Sequence, residues 1–65
     1  MAGPRPVYIE LAHGTYFVKY ADRGYRGRYC AAQFYAKGCT LRYVEGWVAR
    51  FPEKFYLVAK PEAVA

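Results

Sequence analysis

The chain has 65 residues, 55% of them hydrophobic and 20% aromatic, with a net charge of +5. This length excludes more than one domain, the apolar content excludes a disordered chain, and no apolar run approaches the roughly 20 residues that cross a bilayer. Ten Lys and Arg against five Asp and Glu favour a polyanionic partner, nucleic acid before an acidic membrane surface.

In chain order, Met1–Pro6 lacks the apolar stretch of a secretory leader, which predicts a soluble, cytoplasmic protein. A single domain spans 1–65, with Met1–Arg5 and Pro61–Ala65 as loose ends, because Pro4, Pro6 and Pro61 interrupt strand pairing. His13-Gly14 reads as a two-residue hairpin loop, with Gly free to take positive φ. In that register Leu11 pairs with Tyr16, Ile9 with Val18 and Val7 with Tyr20. These six form one apolar face, and Tyr8, Glu10, Phe17 and Lys19 lie on the other. Asp22–Arg28 is a longer loop.

Lys37-Gly38 reads as a second hairpin loop. It sets Phe34 opposite Leu41, Ala32 opposite Tyr43 and Ala36 opposite Cys39, with Tyr35–Thr40, Gln33–Arg42 and Ala31–Val44 on the reverse face. The segment Thr40–Phe51 carries two signals. Leu41, Val44, Val48 and Phe51 fall at helical spacing behind a possible Thr40 N-cap, with Pro52 as a stop. Gly46 and the run of Tyr, Val, Trp and Phe oppose a helix, so strands Thr40–Val44 and Trp47–Phe51 are preferred. Lys54–Lys60 closes the chain as a last strand.

The fold expected from these elements is mostly β: a small SH3-like or OB-like barrel of five or six short antiparallel strands. The alternative is α+β, a three-stranded sheet with a helix over 40–51 and a final strand.

The segment most suggestive of function joins Arg23, Arg26 and Arg28 through Gly24, Tyr25 and Gly27. Guanidinium groups take phosphates bidentately and stack on flat rings. Glycine lets the backbone approach a ligand, and tyrosine offers a stacking surface. Tyr29, Tyr35 and Arg42 are expected on the neighbouring outward face, and Lys19 on the adjacent strand pair. This set predicts binding to DNA or RNA, through phosphate contacts and ring stacking, without strong base preference. Two further readings use a protein partner: a subunit of a ribonucleoprotein or transcription assembly, joined through the Lys54–Lys60 edge, or a viral or plasmid-encoded protein-interaction module.

Other chemistry finds little support. Cys30 and Cys39 fall roughly 20 Å apart in the second hairpin, too far for a disulfide, and are read as small buried hydrophobes. His13 is the only histidine, so Cys and His alone cannot assemble a four-ligand zinc site. There is no Ser and no paired carboxylate arrangement, so no enzyme activity, metal or cofactor is expected. Trp47, near Arg50, is read as a core anchor rather than a protein-binding hot spot.

The chain also lacks Asn and contains one Gln and one Asp, a bias that resembles heat-adapted proteins. In size, charge and expected strands it is similar to the small SH3-like chromatin proteins of thermophilic archaea. That likeness is of fold alone. No motif is shared, and those proteins are rich in lysine where this chain uses arginine and tyrosine.

Overall fold

The computed structural model describes residues 3–22 and 30–60. Strands β1 (Arg5–Ala12), β2 (Thr15–Tyr20) and β3 (Cys30–Tyr35) are followed by helix α1 (Leu41–Ala49) and a short strand β4 (Phe55–Leu57). The four strands form one mixed sheet in the order β3-β2-β1-β4. The sheet is open and α1 packs on one of its faces, so the architecture is the α+β alternative, with the final strand joined to the sheet, and the barrel is not formed. The likeness to SH3-like barrels falls with it.

The first hairpin has the expected register. Leu11 faces Tyr16, Ile9 faces Val18 and Val7 faces Tyr20. His13 and Gly14 both take positive φ, 52° and 71°, the pair of values that a type I′ turn requires and that matches the twist of its strands. Strand β1 starts at Arg5, the last residue of the loose end expected from sequence. Pro6 does not interrupt it. Its carbonyl accepts from the Ala21 N–H at 2.9 Å, and the donor that Pro lacks falls at the last rung of the β1–β2 ladder.

The second hairpin does not form. Beyond Tyr35 the chain turns at Ala36–Gly38 and enters α1 through Thr40. The Thr40 hydroxyl accepts from the Tyr43 N–H at 3.1 Å, with Thr40 itself in an extended conformation. Val44 and Val48, one turn apart, are buried under the sheet. The strands expected at Thr40–Val44 and Trp47–Phe51 are therefore one helix. Tertiary burial outweighs the β propensity of Tyr, Val and Trp: the sheet has an apolar face that needs a cover, and an amphipathic helix supplies it.

The core is correspondingly thin. Val7 and Val18 from the sheet meet Val44 and Val48 from the helix. Around them Trp47 packs on Phe34, Phe51 and Phe55 with ring centroids 5.1–5.8 Å apart, so Trp47 does anchor the core, though from a helix. Strand β4 is shorter than Lys54–Lys60 and runs parallel to β1, with Val7 opposite Leu57. A bulge between Val18 and Lys19 sets Lys19 opposite Cys30. This turns Cys30 to the exposed side, while Cys39 is half-buried and both are free thiols. The reading of both cysteines as buried is thereby corrected for Cys30.

Candidate nucleic-acid interface

Two faces of the molecule carry cations, and their electrostatics differ. On the sheet face away from α1, Lys19 donates to Glu10 Oε1 at 2.7 Å, and Lys60 Nζ lies 2.7 Å from Glu10 Oε2. The hydrogen bond from Lys19, then that from Lys60, lowers the Glu10 pKa to about 2 against partial desolvation; the same bond raises that of Lys19. At the start of β1, Arg5 holds Asp22 through two bonds of 2.9 and 3.3 Å and stacks over the Tyr20 ring at 4.0 Å. The Arg5 bond keeps the Asp22 carboxyl below its usual range. Three basic side chains are thus held by two carboxylates of their own chain.

The helical side is different. Arg42 on α1, Arg50 at its C-cap and Lys37 on the turn before it form no ion pair among the described residues, nor does Lys54, whose ammonium lies 5.7 Å from the Phe51 ring. Arg42 and Arg50 line a shallow cavity of about 160 Å³ with Tyr43, Gly46 and Trp47. A wider depression of about 530 Å³ lies beside it, lined by Ala36, Lys37, Gly38, Cys39, Thr40 and Tyr43. Tyr43 borders both, is half exposed, and leans edge-on against Phe34 at 5.9 Å. Helical geometry makes this grouping: 42, 46 and 50 recur every fourth residue, and 43 and 47 follow one position behind.

The residues singled out by sequence divide accordingly. Arg23, Tyr25, Arg26, Arg28 and Tyr29 lie outside the described residues. Lys19 and Tyr35 share the sheet face away from α1, since Thr15 opposes Tyr35 and Phe17 opposes Gln33. They stand four positions apart along β2, roughly 13 Å. Tyr35 is 78% exposed, whereas Lys19 is held by Glu10. Arg42 does not join them. It was expected beside Gln33 on a strand and instead sits on α1, across the sheet from Lys19. Sequence reasoning missed Tyr43 and Arg50 as site residues, and took Trp47 only as core. Their common face follows from the helical phase of Thr40–Phe51, a signal set aside in favour of strands.

Among the described residues no group of three or more His, Cys, Asp or Glu is placed to hold a metal ion, and no helix is long and apolar enough to cross a membrane. Comparison with family models, curated proteins and solved structures found no match to this chain.

Proposed function

We propose that the protein binds nucleic acid in the cytoplasm, by phosphate neutralisation and ring stacking, with little preference for base sequence. One observation carries this reading. Lys37, Arg42 and Arg50, three of the four described cations with no internal carboxylate partner, border the same depressions as the exposed ring of Tyr43. Unpaired guanidinium groups beside accessible rings suit a strand whose phosphates and bases alternate. The segment with Arg23, Arg26 and Arg28 supplies further cations of the same kind. Sequence preference is expected to be weak, because α1 has nine residues and the arginines beside the shallow cavity are assigned to phosphates, which carry no sequence information.

The test is a titration of labelled single- and double-stranded DNA and RNA by fluorescence anisotropy at two salt concentrations. Binding that weakens steeply with salt is expected, and weakens further in Arg23/Arg26/Arg28→Ala. Absence of binding to all four ligands at low salt removes the reading. The assembly-subunit reading draws on a separate observation: β4 is a sheet edge on which Tyr56 and Leu57 are half exposed. A protein partner retained after nuclease treatment would favour it.

A further inference from the structure

Gly46 stands in the middle of α1, where glycine is the poorest helix former after proline. Neither conformation nor packing calls for it. Its φ is not positive, and a Cβ built there would meet nothing within 4 Å. What the missing side chain does is leave a notch, with Arg42 one turn before it, Arg50 one turn after it, and Tyr43 and Trp47 along one flank. Any larger side chain at 46 would project into that space. A helix weakened at its centre, at a point that opens a cavity between two unpaired arginines, fits a binding surface maintained at the expense of stability.

We propose that this notch is a subsite for one nucleotide of a single strand. The base lies in the space over Gly46 and stacks against the accessible parts of Trp47 and Tyr43, and Arg42 and Arg50 take the phosphates on either side. The proposal rests on the nucleic-acid reading above and assigns it a place.

Magnitudes favour a strand over a free small molecule. Closed ligand sites run to roughly 300–1,000 Å³, and at about 160 Å³ the notch cannot enclose one. It can hold part of a polymer anchored elsewhere on the protein. The two arginines are eight residues apart, about 12 Å along the helix axis, wider than the spacing of adjacent phosphates, so their long side chains converge over the notch to take two phosphates of one strand. Glu45 lies on the same helix without forming an ion pair to either arginine.

Trp47 is the only tryptophan, so its emission reports on the notch itself. The experiment titrates the intact chain with oligothymidylate and, separately, with inorganic polyphosphate, following Trp47 emission. Anisotropy of a fluorescein-labelled oligothymidylate measures affinity in parallel. Oligothymidylate is expected to quench Trp47 and polyphosphate to leave it unchanged. Gly46→Leu, which fills the notch with a good helix former, is expected to weaken binding about five-fold or more, the lower range for loss of one stacked base. Arg42→Gln and Arg50→Gln are each expected to reduce the salt slope by about 1. Gly46→Ala is expected to raise Tm by about 4–8 °C, which shows that the wild-type residue is not there for stability. If anisotropy reports binding while Trp47 emission stays constant, or Gly46→Leu binds like the wild type, or polyphosphate quenches equally, the notch proposal falls and the nucleic-acid reading stands. If no binding appears at all, both fall.

Discussion

Glu10 is held by two lysines on the side of the sheet away from α1, and its lowered pKa ties stability to pH. The unfolded chain has the higher Glu10 pKa, so it binds more protons than the folded one in acid, and stability rises with pH across that interval. The contribution is complete above about 4.5 and is lost as pH falls toward about 2. A displacement of that size corresponds to about 3 kcal/mol, and solvent contact reduces the expected effect to about 1 kcal/mol. Glu10→Gln should therefore lower stability by about 1 kcal/mol at pH 7 and by little near pH 2. Urea denaturation of both proteins at the two pH values checks this, and an equal loss at both would assign the effect to packing. Lys19 acts at the other extreme: its raised pKa makes its share of the pairing fade as pH climbs past 10.5. At Gly14 the positive φ of 71° forbids an easy replacement. Gly14→Ala should destabilise by about 1 kcal/mol through left-handed strain at an otherwise open position, read as a fall in Tm.

The two elements flanking β3 show where local sequence decides and where it does not. In the β1–β2 hairpin the loop has two residues, its chemistry fixes the turn, and the turn fixes the register. Nothing distant is needed, and every pair expected there is found. The segment after Lys37-Gly38 has comparable alternation, yet it becomes α1. Its residues satisfy both periods: Leu41, Val44, Val48 and Phe51 at helical spacing, and the β-prone Tyr43, Val44, Trp47 and Val48 along a strand. Burial of Val44 and Val48 against Val7 and Val18 selects the helix, and local propensities cannot register that. The cap is a local signal that the helix does use. Thr40→Ala should remove the bond to the Tyr43 N–H and cost about 1 kcal/mol, visible as a lower Tm with reduced helical circular dichroism. An unchanged Tm would mean that packing alone holds the first turn.

For the molecule as a whole, the distribution of charge matters more than its sum. Internal pairing of Arg5, Lys19 and Lys60 fixes part of the basic complement to the scaffold and leaves Lys37, Arg42, Arg50 and Lys54 without a carboxylate partner among the described residues. If about four phosphates are neutralised, a plot of log K against log salt should fall with a slope of roughly −3 to −4. Lys60→Gln should change that slope little, because its charge already faces Glu10. A flat salt response would remove phosphate neutralisation as the source of affinity.

Of the candidate site, sequence supplied Arg42 but set it beside Gln33, and it overlooked Tyr43 and Arg50. The three gather on one face only in helical phase, and helical phase depends on a core built by three separate elements, β1, β2 and α1. Parallel pairing of β4 with β1 is hidden for the same reason, since Phe55 and Arg5 meet across fifty residues of chain. The exposure of Cys30 depends on a bulge in the β2–β3 pairing.

What composition and short-range spacing determined was a small basic chain, the first hairpin with its register, and the possible limits of a helix from Thr40 to Pro52. Turn stereochemistry and side-chain alternation act over a few residues, so they can be read directly from the order of amino acids. The tertiary structure alone decided that the sheet stays open, that α1 covers it, and which cations remain unpaired. Those outcomes follow from apolar burial and charge pairing between distant segments, and such terms exist only once the chain has closed on itself.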